Sequence, residues 1–321
     1  FIKPKNPKRT KILAAHTDSP ALKLKPHPEY QKEGAFMLGV EVYGAPLLSS
    51  WLNRDLVLAG RNSKGELITL KQKVTLPQLA IHLDREVNEK GLILNRQEHL
   101  NLLAGLQSLK IPNGAELFAV SAEKVTELSK GIVQGPRLDN LTSCFEIIEA
   151  IPAKSSDSLI ALYFFNHEEI GSGSYEGAES SRFIHLLEEV VGDRKVFVQL
   201  LNETKAVSVD VAHAVHPNYA DRHEARHRPR LGEGIVVKWN ANQKYATDAV
   251  SANWFSKSQS FVSRSDMPCG STIGPILASK LGVKTVDIGI PILSMHSIRE
   301  VIGWNDHLEI IKRLKDFLSS P

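Results

Sequence analysis

The chain of 321 residues is poor in cysteine, methionine and aromatic side chains, and nearly balanced in charge. Two cysteines, Cys144 and Cys269, cannot build a disulfide framework, and their scarcity leads us to expect free thiols in a reducing compartment, the cytoplasm. The longest strongly apolar run, residues 159–165, is far short of the ~20 residues that span a bilayer, so we expect no membrane partner. No signal peptide opens the sequence, and it begins at Phe1 rather than Met, so we expect residues ahead of it. Lys and Arg number 39 against 36 Asp and Glu, and a formal charge of +3 at this length implies no nucleic-acid partner. No internal repeat or low-complexity tract is visible. What remains is an ordinary globular composition, 42% hydrophobic and 23% charged. The length exceeds the roughly 250–300 residues at which single cores stop growing, so we expect two domains.

The second half reads as alternating strands and helices. Residues 159–165 form a continuous apolar run, the pattern of a parallel strand buried on both faces. Phe183, Leu186, Leu187, Val190 and Val191 recur at helical spacing, with Gly192 placed to cap the end. Val207, Val209 and Val211 alternate as a strand, and residues 285–290 form another, preceded by a helix near 273–281. A last helix is expected to start at Asn305 or Asp306 as N-cap, with Leu308, Ile311, Leu314 and Leu318 on one side. Residues 12–15 read as one more buried strand. The expected fold class is α/β, a mostly parallel sheet flanked by helices. From about residue 25 to 130 the pattern changes to short β-like pieces (39–43, 56–60, 67–74) with little helical periodicity before 98–109. We expect an α/β domain of residues 1–24 and 131–321, with a β-rich domain of residues 25–130 inserted into it.

Five segments concentrate His, Asp and Glu beside expected strand ends: HTDSP from His16, RLDN from Arg137, NHEE from Asn166, DVAH from Asp210 and SMHS from Ser294. Ligands of an open α/β sheet bind outside the carboxyl ends of its strands, so these scattered segments should converge on one crevice. Mixed nitrogen and oxygen donors without cysteine suit Zn²⁺, Mn²⁺ or Co²⁺. Three carboxylates and two imidazoles exceed the usual three protein ligands of one catalytic zinc, and two ions sharing a bridging carboxylate fit better. In the Glu168-Glu169 pair, one carboxylate can bind metal while its neighbour takes a proton from water. Blander readings compete. His27, His99, His185 and His307 read as ordinary core or surface histidines, Asp139 alone as a helix N-cap, and Asp221–Arg230 as a solvated loop. What weighs against them for the five segments is their coincidence at strand ends.

These residues reach a known family. The chain resembles the M18 metallopeptidases, the aspartyl aminopeptidase family, in AAHTDSPALKLKP (from Ala14), VEVYGAPLLSSWLNRDLVLAGR (from Val40), LAIHLDREVN (from Leu79), GPRLDNLTSC (from Gly135), NHEEIGS (from Asn166), VDVAHAVHPNY (from Val209), PCGSTIGPILASKLG (from Pro268) and SMHSIRE (from Ser294). The match covers nearly the whole chain in order. The resemblance implies a zinc-exopeptidase-like catalytic domain with two divalent ions per subunit, zinc or else cobalt or manganese. It implies that Asp139 bridges them, that His16 and Asp210 complete one site and Glu169 and His296 the other, and that Glu168 is the general base. His213, Lys238 and Tyr245 match substrate-contacting positions, Lys238 the one that faces an acidic P1 side chain. His82 matches a histidine that reaches a neighbouring subunit's active site, in a homo-oligomer, a dodecamer of dimers joined through the inserted domain. Relatives carry additional residues before HTDSP and a longer stretch where this chain runs Ala115–Lys130.

The leading expectation is therefore a two-metal aminopeptidase removing N-terminal residues, Asp or Glu, from peptides. A metal-dependent deacylase or amidohydrolase is the alternative, and a non-catalytic scaffold of the same fold a third. Retention of Glu168 beside every candidate ligand argues against the scaffold, which has no use for a base.

Overall fold

The computed structural model describes residues 1–155 and 157–320. Two compact units emerge, the first made of Phe1–Asp18, Glu127–Met295 and Glu300–Pro321, the second of Ser19–Thr126 and His296–Arg299. The chain starts in the first unit with β1 (Arg9–His16) and leaves it for β2 (Ala21–Lys32), β3 (Ala35–Tyr43), β4 (Leu56–Arg61), β5 (Leu67–Val74), the single-turn α1 (Val87–Lys90), β6 (Leu102–Gly105) and β7 (Glu116–Ser121). It returns through β8 (Thr126–Ser129), β9 (Ile132–Gly135), α2 (Leu138–Glu149), β10 (Ser158–Phe165), α3 (Arg182–Val191), α4 (Arg194–Asn202), β11 (Thr204–Val209) and β12 (Ala212–His213). It closes with β13 (Val236–Trp239), α5 (Ala249–Ala252), β14 (Gln259–Val262), α6 (Gly274–Leu281), β15 (Lys284–Gly289), β16 (Pro291–Leu293), β17 (Glu300–Gly303) and α7 (Trp304–Ser319).

The first unit is built on a six-stranded sheet in the order β10-β1-β11-β15-β13-β14. The strands β10, β1, β11 and β15 run parallel, and β13 turns antiparallel against β15. Period-two geometry sends alternate residues of β1 to opposite faces. Leu13 and Ala15 join a core with residues of α2 and α7, whereas Ile12 and Ala14 join one with α3, α4 and α6. Helices thus flank the sheet on both faces, and each fully buried Leu, Ile or Val contributes about 1.5–3 kcal/mol. The mostly parallel α/β class expected from sequence is what folds. Register sets up the site. His16 pairs with Phe165, and Ala14 pairs with Ser208, so Glu168, His16 and Asp210 all follow at one end of neighbouring strands. A second, five-stranded sheet has the order β12-β16-β17-β9-β8.

The second unit is built on a six-stranded sheet, β5-β4-β7-β2-β3-β6, in which neighbouring strands pair antiparallel. Its own core collects Leu22, Leu38, Leu56, Leu58, Leu102 and Leu117. Gly60 is required where β4 and β7 pair, since a Cβ there would lie 2.0 Å from the Glu116 carbonyl oxygen.

Three local expectations are corrected. Residues 98–109 form no helix; they hold β6 and turns. β11 is buried along both faces rather than alternating, because it lies between β1 and β15 under helices on each side. In α7 the N-cap is Gly303, and Asp306 lies inside the first turn, accepting hydrogen bonds from the Gly232 and Gly234 amides at 2.7 Å each. Its buried face is Asp306, His307, Ile310, Leu314, Phe317 and Leu318, and Leu308 points outward. Polar partners inside the core rotate that face: the His307 Nδ1 pairs with the buried Glu146 carboxylate at 2.8 Å.

Candidate metal centre

The first unit gathers His16, Asp139, Glu168, Glu169 and Asp210. His16 ends β1 and is almost fully buried. Its Nδ1 lies 3.0 Å from the Asp18 carbonyl oxygen, an acceptor only, so Nδ1 carries the proton and donates. That fixes Nε2 as the inward-facing atom, 3.5 Å from Asp139 Oδ1, 3.5 Å from Asp210 Oδ1 and 4.0 Å from Glu168 Oε2. Donor atoms of His16, Asp139 and Asp210 lie within 4.8 Å of one another, as do those of His16, Glu168 and Glu169.

The segments that carry these acids are anchored by contacts behind them. Asp139 opens α2 in non-helical conformation after Arg137 in the left-handed region at φ 56°. Its backbone N–H donates to Glu300 Oε2 at 2.9 Å, and Asn140 Nδ2 donates to the Val209 carbonyl at 2.9 Å. Beyond β10, His167 adopts φ 64°, and the turn brings two successive amides onto one anion. The N–H of Glu168 donates to Asp18 Oδ1 and that of Glu169 to Asp18 Oδ2, both at 3.1 Å. Asp210 follows β11, where Gly289 lets β15 come close; a Cβ there would lie 1.9 Å from the Asp210 carbonyl. Lys238 in β13 is buried, and its Nζ donates to Asp210 Oδ2 at 3.1 Å and to the Val211 carbonyl at 3.0 Å.

The electrostatics are those of crowded acids. Burial pushes Glu168 up to about 7 despite the counteracting His16. Burial and then Asp139 push Glu169 up to about 10. Burial opposes charge on both His16 and Asp210, yet it is outweighed in each. Asp139, Asp18 and Asp210 raise His16 well above its ordinary value, and Lys238 and His16 hold Asp210 below the usual carboxylate range. Four carboxylates against one ammonium and one imidazole is a donor set that divalent cations satisfy, so the residues fit a metal site.

A family model described as Aminopeptidase I zinc metalloprotease (M18) matches residues 2–128 and 114–318. A probable M18 family aminopeptidase 2 of Stutzerimonas stutzeri is 41% identical over 350 residues, covering 97% of this chain and 81% of the relative. The chain belongs to the M18 family. It is a metallo-aminopeptidase, a peptide hydrolase of a zinc metalloprotease family. A chain of the Ape4 and Nbr1 complex solved by cryo-EM superposes with a TM-score of 0.87 at 33% identity, over 99% of this chain and 72% of that one. A mApe1 chain solved as a dodecamer from S. cerevisiae shares the fold at 24% identity and a TM-score of 0.74, over 97% of this chain and 79% of that one.

In this M18 aminopeptidase the other sequence-derived candidates fall in three places. Lys238, Tyr245 and His213 cluster in the first unit: the ammonium lies 5.3 Å from the Tyr245 ring centroid, and the rings of Tyr245 and His213 both contact Phe261. Lys238 was expected to face substrate; its ammonium here also binds Asp210. His82 stands in a short, exposed turn of the second unit, Ile81–Leu83. His296 also belongs to the second unit; its Nδ1 donates to the Ala45 carbonyl at 3.0 Å, which fixes its tautomer as Asp18 fixes that of His16. Sequence reasoning missed Asp18 and Glu300 as supports. Both lie inside the HTDSP and SMHSIRE segments, but their roles depend on contacts about 150 residues away. Among the described residues no helix is long and apolar enough to cross a membrane.

Proposed function

We propose that this M18 member is a co-catalytic two-metal aminopeptidase that releases N-terminal Asp or Glu from peptides. The observation that carries the reading is the convergence of His16, Asp139, Glu168, Glu169 and Asp210 at one end of a parallel sheet. Asp139 would serve both ions, zinc by family and cobalt or manganese by donor chemistry. His16 and Asp210 would complete one site, and Glu169 and His296 the other. When bound, the ions polarise the scissile carbonyl and acidify the attacking water. Glu168 takes the proton of that water and returns it to the leaving amine.

Lys238 selects the P1 side chain. An ammonium has three donors; Asp210 and Val211 take two, and the third is offered to a substrate carboxylate, with Tyr245 and His213 lining the same patch. His82 acts in a neighbouring subunit, donating a hydrogen bond to the developing oxyanion. The exposed Leu79, Ile81 and Leu83 around it support burial against another copy, in a homo-oligomer that we take to be a dodecamer of dimers. The two free thiols accord with the cytoplasm.

A substrate panel tests the reading. The zinc-loaded protein should cleave N-terminal Glu and Asp amides faster than the Leu amide and leave N-acetylated substrates intact. In Lys238→Met the Glu-to-Leu ratio of kcat/KM should fall about tenfold or more, since an unpaired buried charge costs a few kcal/mol. A wild-type preference for Leu, or an unchanged ratio, removes Lys238 as the selector. Turnover of N-acetyl substrates alone would make the protein a deacylase.

A further inference from the structure

One buried carboxylate near the centre takes no part in the chemistry above. Asp287 lies in β15 and is fully buried. Its Oδ1 accepts a hydrogen bond from Thr272 Oγ1 at 2.5 Å, its Oδ2 accepts from the Ala246 amide at 2.6 Å, and its own N–H donates to Thr247 Oγ1 at 3.0 Å. Gly274 packs directly on the carboxylate, where a Cβ would lie 2.2 Å from Oδ2. A buried acid costs stability unless donors compensate it, and these donors come from two separate loops.

Each loop carries one side of a further contact. Tyr245 precedes Ala246, and Cys269 lies three residues before Thr272. Cys269 packs on the cluster of Ala212, Val236, Tyr245 and Phe261, so the two loops meet beside the Tyr245 ring. Tyr245 in turn lies under the Lys238 ammonium. We infer that Asp287 is a positioning residue for substrate binding: by tying residues 245–247 and 272–274 to β15, its carboxylate sets where Tyr245 stands beside Lys238. Asp287 touches neither substrate nor metal in this account. The inference rests on the reading that Tyr245 contacts substrate.

The test compares zinc-loaded Thr272→Val, Asp287→Asn and Tyr245→Phe with wild type. Thr272→Val removes one donor at nearly constant shape, and KM for a Glu amide should rise about threefold to tenfold with kcat within about twofold. Asp287→Asn, which sets an amide NH₂ against a donor, should raise KM further. Zinc per chain should be unchanged in both. A second readout is independent of turnover: Cys269, the more exposed of the two thiols, should react faster with a colorimetric disulfide reagent in both variants. Should Asp287→Asn fail to fold, Thr272→Val decides. Wild-type KM and wild-type thiol reactivity in Thr272→Val would overturn the inference, as would loss of zinc in step with activity. An unchanged KM in Tyr245→Phe would overturn the substrate role of Tyr245 itself, and faster Cys269 modification in Thr272→Val would still establish the tie between Asp287 and the loops.

Discussion

The end of the parallel sheet in the first unit and the segment around His82 in the second are built on opposite principles. His16 and Asp139 are buried, and Glu168, Glu169 and Asp210 nearly so; their backbones or rings are bonded to Asp18, Glu300 and neighbouring strands. A constellation held this way needs no ordering when substrate arrives, which is the condition for electrostatic catalysis. The 78–94 segment instead exposes Leu79, Ile81, Leu83 and Ile93 around its histidine, an apolar patch of the kind that marks an interaction surface. The contrast separates groups that should act in a lone chain from one that should act only across subunits.

The sharpest way to break this division is at Glu168. Glu168→Gln keeps the shape and leaves every proposed ligand in place, so turnover should fall by about 10²–10⁴-fold while zinc content stays at the wild-type value. Loss of zinc with activity would mean that Glu168 and Glu169 have exchanged roles. Next comes His82. His82→Ala should cost about 10²–10³-fold in kcat, the worth of one oxyanion donor. Mixing His82→Ala subunits with Glu168→Gln subunits should restore part of the activity after reassembly. Absence of recovery in demonstrably mixed oligomers would place His82 outside catalysis in trans.

A smaller effect concerns stability and pH. The folded-state values of His16, Glu168 and Glu169 are all raised, so the folded metal-free protein holds more protons than the unfolded chain. Its stability should therefore fall as pH rises from about 5 towards 9. The lowered Asp210 contributes stability above its unfolded value, so it stays constant over this range. If divalent ions replace the protons of His16 and Glu169, the melting temperatures of zinc-loaded and stripped protein should diverge as pH rises. Parallel curves would deny that His16 and Glu169 hold metal.

The contrast also governs what could be read from sequence. Residues 12–15 and 159–165 announced themselves as short apolar runs, with His16 next after the first and Glu168 three residues past the second, so the gathering of these side chains at strand ends was legible. Tertiary supports were not, because Asp18, Glu300 and Asp287 work through backbone amides and hydroxyls far away in sequence. Helix α7 was misaligned for a related reason. Reading only apolar residues assigned Leu308 to the core, whereas Asp306 and His307 occupy that face by pairing with Gly232, Gly234 and Glu146. Lys238 inside β13 carried no sign that its ammonium would meet Asp210.

Metal stoichiometry in Asp139→Ala tests the central claim most directly. Elemental analysis of the folded, zinc-saturated wild type should give two ions per chain. The variant, stripped of the one carboxylate assigned to both ions, should retain fewer than two and lose its activity. Two tightly bound ions in folded Asp139→Ala would contradict the bridging role and, with it, the two-metal account of this aminopeptidase.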